Sequence, residues 1–390
     1  MMLPNGWKRV KLGDVVKMSS GGTPSKDNAS FWNGDIPWIS ALEMHKNFVE
    51  EAKLNITEDA LKKGSSLAKK NDLLLLTRGS MLWKRIPVCL CLRDVAFNQD
   101  VKCLHANEKL NSTFLLYWFG CMEPKIMHMV VGTGIGAGKL ESSGILDLDV
   151  NLPPLEEQKK IAATLSVWDS AIEKMEKLIE AKESQKKSLI TKLIVFSDDK
   201  NISELTKIKL SDIFDEVCEK NRPDEDVLTI IQGVGTVLRT DSGREIIYDK
   251  NSLSNYKYVK KGDFIIHLRS FESGLEVANQ DGIVSPAYII LRPKIKVSTV
   301  YLYSLFHTNE FINRTIAPAV EGARDGRSVK YDVLKNQTIT LPNLSEQQSV
   351  ARLLLKADEE LSLLKQQLEN YKKQKQGLMQ KLLTGQWRVK

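Results

Sequence analysis

The glycines of GTGIGAGK, residues 132–139, have a spacing that could bind a nucleotide. The first, third and sixth of these residues satisfy the pattern G-x-G-x-x-A of a dinucleotide-binding turn. Such a turn leads into a crossover helix, but Gly144, an alternating strand-like stretch and then Pro153 leave no room for that helix. A phosphate-binding P-loop is excluded as well, because Leu140 stands where that motif has serine or threonine. The sequence therefore predicts a flexible glycine-rich loop at these residues.

Catalytic motifs are missing from the sequence. It has no H-E-x-x-H, no acidic cluster with nuclease spacing and no cofactor turn of the kind that an adenine methyltransferase uses. The histidines stand singly and are better explained as structural residues; they are His45, His105, His128, His267 and His307. The five cysteines follow neither disulfide nor zinc spacing. We therefore predict no catalytic residue, no metal ligand and no cofactor in this chain.

The chain of 390 residues has a formal net charge of +7 and a pI near 8.9. This mild excess admits a nucleic-acid partner without proving one, because much of it lies in the last predicted helix. The first residues lack the apolar run of a targeting segment, and no stretch approaches the length needed to cross a bilayer. The sequence therefore predicts a cytoplasmic protein.

Residues 152–197 are predicted to form one long helix. Pro153 and Pro154 suit its entry, and Glu156 and Glu157 suit the positive end of the helix dipole. Apolar residues recur at alternating steps of three and four, which is the seam of a coiled coil. The seam residues are Ile161, Leu165, Trp168, Ile172, Met175, Ile179, Leu189 and Leu193. A helix of this length, roughly 60 Å, needs a partner along its seam.

That partner is predicted in the same chain, at residues 341–390. Leu152 and Leu341 are 189 positions apart, and this offset places an apolar residue over each apolar seam position. The matching seam residues are Val350, Leu354, Leu361, Leu364, Leu368, Leu378 and Leu382. The offset also places Lys186 over Lys375, and Ser345 with Gln348 has the spacing of a capping box. An internal duplication explains this match better than chance does.

The two predicted globular parts, residues 1–151 and 198–340, repeat one another at lower fidelity. The stretch KKGDFIIHLRS at 260–270 echoes KKNDLLLLTRGS, which begins at Lys69. A helix is predicted after each stretch, over 111–122 in the first half and over 300–312 in the second. Strand and helix signals mix without a βαβ rhythm, which indicates an α+β fold. The predicted order is therefore domain, helix, domain, helix.

This arrangement resembles the specificity subunit of type I restriction-modification enzymes. The resemblance covers essentially the whole chain and rests on the order and duplication of short motifs. These motifs are GGTPS at 21–25, GDIPWIS at 34–40, LPPLEEQ at 152–158, LPNLSEQ at 341–347 and the terminal LLTGQWRV. It implies two target-recognition domains alternating with two long helices that pair as an intramolecular antiparallel coiled coil. Each domain would read one half of an asymmetric, bipartite DNA site.

Candidate DNA contacts are polar or basic side chains on loops at strand ends, because base edges and phosphates need such donors. In the first domain they are Thr23, Lys26, Arg78, Lys84, Arg85 and Lys139. In the second domain they are Arg239, Arg244, Arg269, Arg324, Arg327 and Lys330. Arg78 and Arg269 stand at the same place in the repeat. For each candidate, a solvated surface charge or a local ion pair is the alternative.

The resemblance also implies partners and cofactors. The chain would recruit two methylation subunits, which carry S-adenosylmethionine, and restriction subunits that use ATP and Mg²⁺. On the outer face of the helices, Glu156 with Lys160 and Glu183 with Lys187 have the spacing of ion pairs that would serve either docking or solubility. Two other interpretations stay open: an autonomous two-headed DNA-binding regulator, and a coiled-coil protein scaffold that does not bind DNA.

Overall fold

The two long helices are the largest elements in a computed structural model of the protein, which describes residues 3–134, 136–195, 205–243, 250–267, 274–322 and 328–389. The central helix spans Leu155–Ile190 and continues into a π-helical turn at Thr191–Val195. The C-terminal helix spans Leu344–Leu383. At 1.5 Å per residue these helices are roughly 54 and 60 Å long.

The chain forms two compact units that share these helices. Unit 1 is Met1–Glu176 together with Gln366–Lys390, and unit 2 is Lys177–Lys365. Each unit therefore contains a globular part and a portion of both long helices. The four-part division made from the sequence stays a prediction, and its boundary between residues 197 and 198 lies outside the described residues.

The globular part of unit 1 consists mainly of short strands. They are Lys8–Lys11, Val16–Ser20, Trp32–Ile39, Phe48–Val49, Asn55–Ile56, Ser66–Ala68, Leu73–Leu76, Arg78–Gly79, Val88–Cys91, Val95–Phe97, Val101–Ala106, Val131–Gly132, Gly138–Lys139 and Asp149–Leu152. The shorter helices are Leu12–Val15, Glu58–Gly64, Ser112–Met127 and Ser142–Leu146, with 3-10 turns at Ala29–Phe31 and Ser80–Trp83.

The core of unit 1 is built around the strand Leu73–Leu76. This strand lies in the middle of a five-stranded sheet, and all four of its leucines are fully buried. An uninterrupted apolar run of this kind is expected where a strand is covered on both faces. Leu382 and Leu383 of the C-terminal helix belong to the same apolar core. The last turn of the chain's long helix therefore helps to close unit 1.

The globular part of unit 2 is again a mixture of short strands and helices. Its strands are Thr206–Lys209, Phe214–Val217, Leu228–Ile231, Gly235–Leu238, Lys257–Val259, Phe264–Ile266, Glu276–Val277, Gly282–Val284, Ile289–Pro293, Val320–Glu321, Ser328–Val329 and Thr338–Leu341. Its helices are Leu210–Ile213, Thr299–Phe306, Asn309–Phe311 and Tyr331–Leu334, with a π-helical turn at Ile312–Ile316 and 3-10 turns at Arg239–Asp241, Lys250–Asn255 and Ala317–Ala319.

The two globular parts follow the same local plan at their connections to the long helices. In unit 1 the strand Lys8–Lys11 pairs antiparallel with Asp149–Leu152, which leads into the central helix. In unit 2 Thr206–Lys209 pairs in the same way with Thr338–Leu341, which leads into the C-terminal helix. The weak sequence echo between the halves thus corresponds to a repeated structural plan.

The long helices run antiparallel within each unit. In unit 1 Asp169 pairs with Lys375 and Glu176 with Lys372, so residue numbers rise on one helix as they fall on the other. In unit 2, Lys182 pairs with Glu360 and Lys186 with Asp358, and Lys365 meets Glu183. All the seam residues named from the sequence are buried or half-buried. The lysines that interrupt the apolar seam are paired with acidic residues of the other helix.

Several local predictions were wrong. Asn343, rather than Ser345, caps the C-terminal helix, because its side chain accepts the amide hydrogen of Glu346 at 3.0 Å. The helix predicted over 300–312 stops at Phe306, and Thr308 caps a new turn by accepting from Phe311 at 3.2 Å.

The exposed ion pairs on the helices also differ from the prediction. Glu156 pairs with Lys159 instead of Lys160, at 2.8 Å. Glu183 pairs with Lys365 of the other helix, at 2.6 Å, instead of with Lys187. An i, i+4 spacing on one helix therefore did not predict these contacts, because the i, i+3 position or the second helix supplied the partner.

Candidate nucleic-acid interface

Arg78 and Lys139 lie side by side in unit 1 although 60 residues separate them in the sequence. The strands Arg78–Gly79 and Gly138–Lys139 pair antiparallel, with Arg78 directly opposite Lys139. Val131 of the third strand is the next partner of Lys139. Directly opposite residues of antiparallel strands project from the same face, so these three exposed side chains form a row. We call this row of Arg78, Lys139 and Val131 the unit 1 basic face.

The charges of the basic face are unfavourable for the isolated sheet. Like charges directly opposite one another destabilise a strand pair. One acidic side chain relieves the repulsion, because Glu141 contacts Lys139 at 2.7 Å and both are exposed. A local rule broken at an exposed site marks a candidate functional surface, and two neighbouring cations have the charge that an anionic ligand would need.

Trp83 is an exposed aromatic residue that the sequence analysis missed. Its side chain is 48% exposed, yet its ring nitrogen donates to the carbonyl oxygen of Gly136 at 3.0 Å. Its ring also lies beside Gly132, 3.9 Å from where a Cβ of that residue would be. Trp83 is therefore held in place while one part of its ring faces solvent. The sequence signal for it was a tryptophan directly before two basic residues, Lys84 and Arg85.

The glycine-rich residues connect two antiparallel strands rather than a strand and a crossover helix. Thr133 donates through its amide and its hydroxyl to the carbonyl of Ala137, both at 2.8 Å. At Gly138 a Cβ would come within 2.8 Å of Val130 and 2.9 Å of Leu82, so glycine allows this strand to lie on the layer below. Ile135 lies outside the described residues.

Of the remaining candidates in unit 1, some are exposed and others form hydrogen bonds within the protein. Lys84 and Lys26 are exposed. Arg85 points inward, where its guanidinium donates to the carbonyl oxygens of Met44 and His45. Its position therefore fits anchoring of a loop better than contact with a ligand. The Thr23 hydroxyl is half-buried and donates to Gln99 at 2.6 Å.

In unit 2 the structure describes two of the six candidates. Arg239 begins a 3-10 turn and lies over the ring of Tyr256 at 5.7 Å. Lys330 is exposed and lies 4.0 Å from Glu321. The other four candidates lie outside the described residues: Arg244, Arg269, Arg324 and Arg327.

A buried aspartate precedes the central strand of each unit and fixes the turn before it. Asp72 accepts the amide hydrogen of Lys69, and Asp263 accepts that of Lys260, each at 2.8 Å. Asp263 also accepts two hydrogen bonds from Arg292, at 2.9 and 2.7 Å, and these raise the pKa of the guanidinium. The repeated aspartates thus stabilise equivalent turns in the two units.

A polar cluster connects unit 1's globular part to both long helices. The Tyr117 hydroxyl donates to Asp169 at 2.6 Å, and Asp169 accepts from Lys375 at 2.5 Å. Lys375 also lies 5.2 Å from the centre of the Tyr117 ring. Burial raises the pKa of Tyr117, and the hydrogen bond to Asp169 raises it further. The tyrosine therefore stays protonated as a donor at neutral pH.

The glutamine of each repeated motif connects a long helix to its globular part. Gln158 is fully buried; it accepts from the amide of Asn111 at 2.8 Å and donates to the carbonyl of Lys109 at 2.9 Å. Gln347 accepts from the amide of Ser298 at 3.0 Å. Asn111 and Ser298 are the N-caps of Ser112–Met127 and Thr299–Phe306. The sequence shows these glutamines at equivalent positions, but it does not show this role.

The described residues show neither a metal-binding cluster nor a membrane-spanning helix. They contain no group of three or more histidine, cysteine, aspartate or glutamate side chains placed to hold a metal ion. Within the same residues, no helix combines the length and the apolar character needed to span a membrane.

Comparison with known proteins gives relatives that match different lengths of the chain. The EcoR124I/EcoR124II specificity subunit of Escherichia coli is 30% identical over 185 residues, which cover 46% of this chain and 45% of that relative. The MjaVIII specificity subunit of Methanocaldococcus jannaschii is 25% identical over 421 aligned residues, covering 100% of this chain and 95% of the relative. The chain thus spans less than half of the first relative and nearly all of the second.

A crystal structure shares the fold. The type I restriction-modification S subunit from M. genitalium aligns with a TM-score of 0.56 and 16% identity over 98% of each chain. This likeness confirms the predicted α+β architecture with two globular parts and two paired long helices. A family profile described as type I restriction modification DNA specificity domain matches residues 4–183 and 200–372. Because this profile matches most of the chain in two copies, the chain belongs to the type I restriction-modification DNA specificity family, as its motifs predicted.

Proposed function

We propose that this chain reads a bipartite, asymmetric DNA site, with one half-site for each unit. The observation that carries the proposal is the unit 1 basic face, where the exposed side chains of Arg78 and Lys139 stand opposite one another on paired strands. Adjacent cations neutralise phosphates, and the exposed ring of Trp83, held against the glycine-rich loop that joins two of these strands, offers a separate surface for a base or sugar. Membership of the DNA specificity family supports the same interpretation.

We further propose that the chain is a non-catalytic subunit acting in the cytoplasm. It would recruit two methylation subunits, which bind S-adenosylmethionine, and restriction subunits, which use ATP and Mg²⁺. The absence of a recognisable catalytic motif in the sequence supports a recognition role. The two long helices, shared by both units, are the elements on which a partner could act on both half-sites together.

The test of DNA reading is methylome mapping combined with variants of the basic face and of Trp83. The chain is expressed with its methylation subunit, and N6-methyladenine is mapped against cells that lack the chain. We expect a split motif that needs both proteins. Replacing Arg78, Lys139 or Trp83 by alanine should weaken methylation at that motif, or relax one half-site, while the other half-site is unchanged.

Binding measurements at several salt concentrations give a second readout of the same face. Lys139→Ala should lower the slope of log affinity against log salt by about one, since it removes one phosphate contact. Glu141→Gln should do the opposite and tighten binding, because it frees Lys139 from its ion pair. Lys159→Ala, which breaks an exposed ion pair on the central helix, is the matched control and should leave affinity unchanged.

The same data separate the two alternatives. Tight specific binding by the chain alone would favour an autonomous regulator. A complete lack of salt-dependent DNA affinity, with the complex assembled, would favour a protein scaffold and would refute the proposal.

A further inference from the structure

The apolar seam does not by itself decide which of the long helices pairs with which. The offset of 189 places an apolar residue of the C-terminal helix over each apolar seam residue of the central helix. Two central helices from two copies of the chain could therefore bring their seams together, as could two C-terminal helices. Something else must direct the central helix to the C-terminal helix of its own chain.

Two exposed ion pairs distinguish the helices. Glu176 contacts Lys372 at 2.9 Å in unit 1, and Glu183 contacts Lys365 at 2.6 Å in unit 2. The offset relates Glu176 to Lys365 and Glu183 to Lys372. The duplicated positions thus carry opposite charges: both glutamates are on the central helix, and both lysines are on the C-terminal helix.

Pairing between like helices would convert these attractions into repulsions. Two central helices in the same antiparallel alignment would place Glu176 against Glu183 of the second copy. Two C-terminal helices would place Lys365 against Lys372. Like-charge contacts at the flanks of a coiled coil are the usual means by which wrong partners are rejected.

Other ion pairs between the two helices do not distinguish pairing of unlike helices from pairing of like helices. Asp169 with Lys375 and Lys186 with Asp358 are related by the offset, so an Asp–Lys pair would form again between like helices. The edge-to-face contact of Trp168 with Tyr371, at 5.9 Å, has no such counterpart, because the offset relates Trp168 to Ala357. This aromatic contact therefore also favours the observed pairing.

We propose that the Glu176–Lys372 and Glu183–Lys365 layers are a pairing code that directs the two different helices of one chain together and opposes association with a second copy through like helices. The code acts on assembly and is independent of which DNA the units read.

The code can be removed without breaking any ion pair within the chain. The double variant Glu183→Lys with Lys365→Glu reverses one layer, so the intramolecular pairs persist, but like helices now carry complementary charges. The quadruple variant Glu176→Lys, Glu183→Lys, Lys365→Glu and Lys372→Glu reverses both layers. It restores repulsion between like helices and is the matched control. Glu176→Lys with Lys372→Glu removes the code through the other layer and repeats the test if the first double variant does not refold.

The experiment measures mixed association after refolding. Two differently tagged copies of the full chain are unfolded together, refolded at several concentrations and purified through both tags in sequence. Because four repulsive contacts become attractive in a like-helix dimer, the mixed fraction of the double variant should rise roughly tenfold or more. The wild type and the quadruple variant should both show the low fraction.

A cysteine reports which helices pair in the mixed species. Ile179 lies midway between Glu176 and Glu183, so two central helices would bring Ile179 next to its own counterpart. With Ile179→Cys and the exposed Cys218 replaced by serine, mixed double-variant species should form a disulfide between copies. An equal mixed fraction in the wild type, the double variant and the quadruple variant would overturn the proposal. An equal rise of the mixed fraction in the double and quadruple variants would do so as well. So would a mixed double-variant species that lacks this disulfide.

Discussion

Gln158 shows how one buried side chain can decide whether a long helix is attached firmly to its globular part. It forms hydrogen bonds to the amide of Asn111 and to the carbonyls of Lys109 and Pro153, at 2.8, 2.9 and 2.9 Å. A buried polar group that loses its partner retains its desolvation penalty. The attachment therefore depends on the amide group of this residue and not only on its size.

We predict that Gln158→Ala lowers the free energy of unfolding by about 2–4 kcal/mol, because it leaves several buried backbone groups without a partner. Gln347→Ala is the matched variant. It removes bonds to the Ser298 amide and the Pro342 carbonyl, so we expect a smaller loss. Urea unfolding measures both. An equal or larger loss for Gln347→Ala would contradict this ranking.

The cysteines give a second prediction at the scale of residues. Cys89 and Cys103 are buried, and burial raises the pKa of each thiol to about 12, while Cys218 is exposed. Since only an accessible thiolate reacts, iodoacetamide should label the exposed Cys218 in the folded protein. Cys89 and Cys103 should react only after unfolding in urea. Mass spectrometry of the peptides checks the result, and native labelling of Cys89 at the rate of Cys218 would contradict it.

At the scale of elements, the segment after the C-terminal helix returns to the beginning of the chain. Arg388 donates to Glu157 at 2.5 and 2.7 Å and to the carbonyl of Asn5 at 3.1 Å, and Trp7 donates to Glu157 at 3.2 Å. Gly385 has φ +76°, and a Cβ there would come within 2.5 Å of Pro4. Glu157 is 7% exposed, so it needs this cationic partner.

We expect Arg388→Ala to destabilise unit 1 selectively, because it leaves a buried carboxylate without its ion pair. Hydrogen exchange should become faster at the strand Lys8–Lys11 and the first turns of the central helix, and unchanged in Phe264–Ile266 of unit 2. Arg352→Ala, on the exposed part of the C-terminal helix, is the control and should change neither. Uniformly faster exchange in both units would contradict the prediction.

The long helices were predictable from the sequence because their apolar repeat is local and long. The errors at helix ends arose because a nearby polar side chain formed the cap at a different residue. Asn343 caps the C-terminal helix in place of Ser345, and Thr308 begins a new turn within the helix predicted over 300–312. The basic face was harder to predict, because the pairing of Gly138–Lys139 with Arg78–Gly79 joins segments far apart in sequence. The contacts of Arg85 were hard to predict for a similar reason, since its partners at Met44 and His45 come from a distant loop.

At the scale of the whole molecule, both units contain parts of the same two helices. The proposed function therefore makes helix length a determinant of spacing between half-sites. Inserting seven residues after Ile179 and seven after Leu368 keeps the seam in frame and lengthens both helices by about 10 Å. We expect the DNA spacer to increase by about three base pairs while both half-sites stay the same. Methylome mapping reads the spacer, and a changed half-site would show that the insertion altered recognition itself.

Unit 1 is made of two segments that are far apart in the sequence, and this affects the order in which the units can fold during synthesis. Unit 2, Lys177–Lys365, is a continuous stretch, whereas unit 1 needs Gln366–Lys390 as well as Met1–Glu176. The half of the protein that is translated first is thus the half whose contacts are formed last. A chain that is released near residue 365 can hold a complete second unit while its first unit still lacks the residues that close its core, among them Leu382 and Leu383. Prematurely terminated chains should therefore expose apolar surface at their N-terminal end and be recognised there by chaperones or proteases.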